Sequence, residues 1–317
     1  MLNKKISVII PAYNEKQSLP ILLDEIEGAL SGKFEYEIIV IDDGSTDGSF
    51  ELLQKRAKLD GKIRVTRFLR NYGKSAALSE GFKRAQGDYI ITLDSDLQDD
   101  PNEIPRLIEI LESGYDLVSG WKKNRRDPFS KRIPSKFFNF ITRILTGIKL
   151  HDFNCGLKAY RKSVVKSLDI YGGMHRYIPV LVGKKGYKVT ETVVNHRQRK
   201  YGTTKFGRER YFHGLFDLMT VLFLNRYTRK PLHFFGIFGL ISFISGLGID
   251  VWVLFLKYGL GEPFQKHMAL LVFGVLLLIL GVQFISIGLL GEMIAKANIR
   301  STEIIYVETA DRESPSS

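Results

Sequence analysis

Along the first 120 residues, short runs of β-branched and other apolar residues alternate with stretches whose apolar positions recur every three or four. Ile6–Ile10, Glu37–Ile41, Ile63–Phe68, Tyr89–Leu93 and Asp116–Ser119 have the length and composition of strands. Leu19–Leu30, Phe50–Lys58, Ser75–Ala85 and Ile104–Leu111 carry the spacing of amphipathic helices. This alternation predicts an α/β domain on a mostly parallel, Rossmann-like sheet with helices on both faces. Ligands of such sheets bind outside the carboxyl ends of the strands, which directs attention to the residues after each strand.

The pattern then changes. Over residues 130–148, Ile133, Phe137, Phe138, Phe140, Ile141, Ile144 and Leu145 form a broad apolar stripe interleaved with Lys131, Arg132, Lys136 and Arg143. Residues 206–230 repeat the theme, with Tyr211, Phe212, Leu215, Phe216 and Met219 among Arg208, Arg210 and His213. Basic amphipathic helices of this sort lie in a membrane interface; the alternative is that they pack on the sheet. Leu232–Leu256 and Met268–Ile294 are each long enough to cross a hydrocarbon core, and the short connection between them predicts a transmembrane hairpin. Asp250 and Gln283 lie inside these spans, where polar groups are costly. A partner within a homo-oligomer would shelter them, as would a position near the far interface.

The expected organisation is therefore a globular domain over 1–205, an interfacial helix over 206–230, two spans within 231–295 and a tail over 296–317. Arg226, Arg229 and Lys230 precede the first span, and Lys296 and Arg300 follow the second. The positive-inside rule then predicts an inner or plasma membrane protein whose globular domain and termini are cytoplasmic. The formal net charge is +12, and residues 231–317 carry more acidic than basic side chains, so the excess lies in the first 230 residues. Such a surface suits an anionic partner. Nucleic acid would explain the charge but neither the spans nor the acidic turns described next. Cys155 is the only cysteine, so no disulfide framework is expected. The apolar run Ile6–Ile10 is too short for a signal peptide.

Three polar turns follow three of the predicted strands: Pro11-Ala12-Tyr13-Asn14-Glu15, Asp42-Asp43-Gly44-Ser45-Thr46-Asp47 and Asp94-Ser95-Asp96-Leu97-Gln98-Asp99. A lone Asp-x-Asp is most often a solvated turn. At three strand ends of one sheet, these residues converge on one crevice. Hard oxygen ligands suit Mg²⁺ or Mn²⁺, which bind through one or two carboxylates plus substrate phosphates. In an extended segment Asp94 and Asp96 point to the same side.

These motifs resemble those of the inverting family-2 glycosyltransferases with the GT-A fold, over about Ile6 to Lys205. The resemblance implies that Pro11, Ala12, Tyr13, Glu15 and Asp43 line a nucleoside pocket. It implies that Asp94, Ser95 and Asp96 serve the sugar diphosphate, and that Asp94, Asp96 and Gln98 meet Mg²⁺ or Mn²⁺. The second half is similar to the polyprenyl-phosphate branch: dolichol-phosphate mannosyltransferases and bacterial undecaprenyl-phosphate glucosyltransferases. The segment from His151 to Tyr160 resembles the acidic acceptor-site segment, with Asp152 as orienting group or base. Arg199-Lys200-Tyr201-Gly202-Thr203-Thr204-Lys205 resembles the loop that clamps the diphosphate through Arg199 and Lys205. Arg132 and Ser135 match positions at which relatives bind the lipid phosphate, and Lys122 stands where many have Arg.

The implied activity is metal-dependent, inverting transfer of a sugar from a nucleotide sugar to polyprenyl phosphate at the membrane, giving a β-linked product. Glucose from UDP-glucose is the first expectation. GDP-mannose, UDP-GlcNAc, galactose and arabinose-type donors are the alternatives. A processive polysaccharide synthase would carry a Gln-x-x-Arg-Trp motif, which neither Trp121 nor Trp252 completes. A non-catalytic scaffold has no need of Asp94, Asp96, Gln98, Arg199 and Lys205 together.

Overall fold

The computed structural model describes residues 4–123, 139–201 and 231–297, and the chain divides into two compact units, residues 1–222 and 223–317. In the first unit β1 (Lys5–Ala12), β2 (Glu35–Asp42), β3 (Ile63–Arg67), β4 (Tyr89–Thr92), β5 (Leu117–Trp121), β6 (Lys158–Arg161) and β7 (Val189–Val193) form one sheet in the order β3-β2-β1-β4-β6-β5-β7. All neighbours pair in parallel except β6, which runs antiparallel to both β4 and β5.

The predicted helices form between the strands: α1 (Leu19–Leu30), α2 (Ser49–Leu59), α3 (Lys74–Arg84) and α4 (Ile104–Glu112). Helical residues 139–146 (α5), α6 (Lys162–Lys166) and α7 (Ile178–Lys184) follow. Alternation along β1 shows how the layers are built. Ile6, Val8 and Ile10 join one buried cluster with Leu19, Leu22, Leu23 and Ile26 of α1 and Leu107, Ile108 and Leu111 of α4. Ile9 points the other way, where Gly81 of α3 comes so close that an added Cβ would lie 2.4 Å from the Ile9 methyl. Each fully buried Leu or Ile contributes roughly 1.5–3 kcal/mol, so the two faces together fix the register of β1.

The second unit contains α8 (Pro231–Gly259) and α9 (Phe264–Ala297). At about 1.5 Å per residue both exceed a hydrocarbon core of about 30 Å, and most of their large apolar side chains are exposed. They pack antiparallel through glycines: a Cβ on Gly239 would lie 2.8 Å from the Gly281 carbonyl, and one on Gly246 2.6 Å from that of Gly274. Small residues permit such close backbone approach where lipid gives no hydrophobic drive between helices. The predicted hairpin is thus present, with helices a few residues longer than the apolar cores read from the sequence. The predicted 206–230 helix, the 298–317 part of the tail and most of the 130–148 stretch lie outside the described residues.

Candidate active site

The carboxyl ends of β1, β2, β4 and β5 open on one edge of the sheet. Because β6 is antiparallel, its first residue, Lys158, sits beside Thr92 at the end of β4 and Ser119 of β5. The loop before β6 therefore joins the loops that follow the parallel strands. The Thr92 hydroxyl donates to the Gly156 carbonyl at 2.8 Å and ties that loop down.

On the β1–β2 side, two turns are stitched together. The Asn14 N–H donates to Ser45 Oγ at 2.9 Å, the Thr46 N–H donates to Asn14 Oδ1 at 2.8 Å, and the Glu15 N–H reaches Ser49 Oγ at 3.1 Å. Glu15 is buried, and its carboxylate accepts from Ser18 Oγ at 2.8 Å. Gly44 has φ +76°, and a Cβ there would lie 2.6 Å from the Arg70 backbone, so the turn requires glycine. Asp43 accepts the N–H groups of Tyr72 and Gly73 at 2.7 and 2.9 Å, which brings the start of α3 against the end of β2. Burial, with Asp42 alongside, raises the Asp43 carboxyl above its usual range against these two donors. Pro11 and Tyr13 are half-buried on the same turn, next to buried Ala12.

Beyond β4 the chain is not extended, contrary to the geometry expected for the Asp-Ser-Asp motif. Ser95 and Asp96 lie in a turn, Leu97 has φ 62°, and the Gln98 N–H donates back to Asp96 Oδ1 at 3.2 Å. The short polar side chain of Asp96 competes for local backbone donors and bends the segment. Each carboxylate then meets its own cation. Lys74 Nζ lies 2.5 Å from Asp94 Oδ1, and Arg199 Nη2 lies 2.6 Å from Asp96 Oδ2. Burial alone would raise Asp94, but the Lys74 ammonium, with Lys122 and Lys158 nearby, holds it well below the usual carboxylate range. Asp96 is raised, by burial first and then by repulsion from Asp94, with Arg199 opposing. A Cβ on Gly156 would lie 2.4–2.6 Å from the Asp94 carboxylate atoms, so glycine is needed for this loop to approach.

Lys122, placed with the acceptor phosphate by resemblance, has its ammonium 2.8 Å from the fully buried carboxylate of Asp99. Asp152 is buried and accepts the Asn154 N–H at 3.0 Å, shaping the loop that carries Gly156. The structure brings Asp96 and Arg199 into direct contact and pairs Asp94 with Lys74. Arg132, Ser135 and Lys205 lie outside the described residues. Sequence reasoning assigned no role to Lys74, the partner of Asp94, or to Asp99. A lysine at the start of a helix that follows a strand end is the available signal for the first. The second stood in the quoted acidic turn.

The donor set fits a hard divalent cation. Among the described residues no three His, Cys, Asp or Glu side chains form a ready-made cage, and Mg²⁺ is commonly held by one or two carboxylates together with substrate phosphates. Asp94 and Asp96 put carboxylate oxygens at this strand end. A separate cleft of about 620 Å³, lined in part by Lys5, Tyr36, Lys62 and Arg64, opens at the amino ends of the strands and holds none of these groups.

Residues 7–169 match the model of glycosyl transferase family 2, and with full-length relatives above 30% identity the chain belongs to that family of glycosyltransferases. Within it, the chain is 38% identical over 302 residues to the dodecaprenyl-phosphate galacturonate synthase of Rhizobium johnstonii, covering 93% of this chain and 89% of that one. It is 36% identical over 315 residues to the undecaprenyl-phosphate 4-deoxy-4-formamido-L-arabinose transferase of Pseudomonas savastanoi pv. phaseolicola, covering 98% and 92%. The fold matches glucosyl-3-phosphoglycerate synthase from Mycobacterium tuberculosis, solved with Mn²⁺, UDP-glucose and phosphoglyceric acid. That match has a TM-score of 0.55 at 22% identity over 70% of this chain and 80% of that one. The GT-A fold expected from the motifs is thus the one observed.

Proposed function

We propose that this glycosyltransferase moves a sugar from a nucleoside diphosphate sugar to the phosphate of a polyprenyl phosphate at a membrane surface. The observation that carries the reading is the convergence of Asp94, Asp96 and Arg199 at the strand ends of a chain that also has two helices long and apolar enough to cross a membrane. The relatives named above, similar along nearly their whole length, act on polyprenyl phosphates.

In this reading a lipid phosphate oxygen forms a bond to the anomeric carbon while the bond from that carbon to the diphosphate breaks. The electron pair leaves with the nucleoside diphosphate, and the configuration inverts. A phosphate monoester is largely a dianion near neutral pH, so the nucleophile needs no proton removed, and Asp152 orients rather than deprotonates. The turns carrying Pro11, Ala12, Tyr13, Glu15 and Asp43 hold the nucleoside. Arg199, and Lys205 beyond the described residues, meet the diphosphate. Asp94, Asp96 and Gln98 would hold Mg²⁺ or Mn²⁺, which would supply Lewis-acid stabilisation of the leaving group. Arg132 and Ser135 are the proposed acceptor-phosphate contacts, and Lys122 holds the Asp99 carboxylate. Glucose was the donor implied by the motifs; the full-length relatives shift the proposal to a modified UDP-sugar, galacturonate or a 4-formamido-arabinose. The globular domain faces the cytoplasm, and chains associate through the spans.

The test is to incubate purified enzyme with undecaprenyl phosphate and a panel of UDP-galacturonate, UDP-4-deoxy-4-formamido-L-arabinose and UDP-glucose, then weigh the lipid product. A sugar phosphate adduct from one donor, lost in Asp96→Ala and in EDTA, is expected. Transfer that persists in both would remove the carboxylate–metal site from the mechanism.

A further inference from the structure

We infer that Arg197 is a positioning residue that sets Arg199 against the Asp96 carboxylate. After β7 the chain turns back along the segment that follows the Asp-Ser-Asp turn. His196 bridges to Asp99 in antiparallel fashion, and the Arg197 N–H donates to the Gln98 carbonyl at 2.9 Å. Thr192, Val194 and His196 are buried, Asn195 is exposed, and Arg197 and Arg199 are half-buried. The Arg197 side chain is anchored on two sides. Its Nη1 reaches both carboxylate oxygens of Glu25 on α1 at 2.8 and 2.7 Å, and its Nη2 lies 2.8 Å from Asp100 Oδ1. Asp100 is fixed in turn by the Asn102 N–H at 3.1 Å and the Asn195 amide at 3.0 Å.

One guanidinium thus joins the returning chain to α1 and to the turn leading into α4. Arg199 follows two residues later, within about 7 Å of chain. A planar fork matched to two carboxylates fixes direction as well as distance. The chain's approach to Asp96 is therefore set by Arg197, while Arg199 makes the contact. Side chains that hold a ligand-contacting group typically affect binding or activity about ten- to hundredfold when removed.

The inference rests on the reading of Arg199 as a diphosphate ligand, and a thermodynamic cycle keeps the two separable. Binding of UDP in the presence of Mn²⁺ is measured by calorimetry for the wild type, Arg197→Met, Arg197→Lys, Arg199→Ala and the Arg197→Met/Arg199→Ala double variant. Mn²⁺ signal by electron paramagnetic resonance is followed in parallel. Arg197→Met is expected to weaken UDP roughly tenfold or more, with Arg197→Lys intermediate. In the Arg199→Ala background it should have no further effect, because contacts acting through one another are not additive. Arg56→Met, which cuts the exposed Arg56–Asp24 ion pair between α2 and α1, controls for a general loss of stability and should leave UDP affinity unchanged. Additive losses in the double variant, or wild-type affinity in Arg197→Met, overturn the inference and leave Arg199 in place. Unchanged affinity in Arg199→Ala, or no UDP binding by the wild type, overturns the site reading and the inference with it.

Discussion

Replacing Lys122 by Met removes a cation from a pair that has almost no access to water. The Lys122 side chain is 11% exposed and that of Asp99 0%, with 2.8 Å between ammonium and carboxylate. Burial alone would lower the Lys122 ammonium; Asp99 beside it, with help from Asp94, reverses this and raises it above its ordinary value. In Lys122→Met the carboxylate of Asp99 keeps its desolvation and loses its partner. Breaking a buried pair from one side costs about 3–5 kcal/mol. For a unit of this size each kcal/mol shifts Tm by about 2–4 °C, so a fall of roughly 6–20 °C is expected. Adding Asp99→Asn should recover most of it, because the buried charge is then gone. The assay is thermal unfolding of detergent-purified protein, paired with saturation curves for polyprenyl phosphate on the fraction that stays folded. A Tm within about 2 °C of wild type, together with a KM for polyprenyl phosphate raised tenfold or more, would refute this reasoning and make Lys122 a direct acceptor ligand.

Gly156→Ala should lower turnover about a hundredfold with little change in Tm, because its Cβ would displace the Asp94 carboxylate from 2.4–2.6 Å away while Gly156 needs no positive φ; steady-state rates and a melting curve check this, and unchanged turnover refutes it. Cys155 is buried, and burial, reinforced by Asp99 and Asp152 against Lys122 and Lys158, pushes its thiol up to about 12. A disulfide reagent at pH 8 should therefore react with native protein about a thousandfold more slowly than with unfolded protein, whose thiol titrates near 8.5; comparable rates would refute its placement. With Cys155 silent, Leu260→Cys should be labelled by an impermeant maleimide on intact cells and Lys55→Cys only after lysis, and the opposite pattern would invert the proposed topology.

Much of the fold was legible because its strongest signals are local. The apolar spacing of Leu19, Leu22, Leu23, Ile26 and Leu30 predicts α1, and these residues are all buried. The β-branched runs of β1 and β2 are read equally directly, since strands covered on both faces are continuously apolar. Residues 158–193 were not assigned. β6 is four residues long with Lys158 and Arg161 at its ends, and α6 has five residues, too short for periodicity to register. β7 has no alternation to read, with three half-buried residues before buried Thr192 and exposed Val193. The antiparallel insertion of β6 depends on contacts with β4 and β5 that are distant in sequence, which no local pattern encodes.

The site divides along the same line. Asp94, Asp96, Asp43 and Glu15 were legible because each follows a strand end, and a parallel sheet gathers strand ends on one edge. Arg199 came from resemblance alone, and only the antiparallel return of residues 195–199 beside 98–100 explains why it meets Asp96. The cations are the harder half, since a basic side chain reaches far and its anchor point says little about its tip. Lys74 is separated from Asp94 by twenty residues and meets it because Asp43 holds the Tyr72 and Gly73 N–H groups, fixing the start of α3. Lys122 follows β5 and pairs with the buried carboxylate of Asp99. In this fold the carboxylates are set by the order of the strands, and the charges that balance them are set by which loops the mixed sheet brings to the same edge.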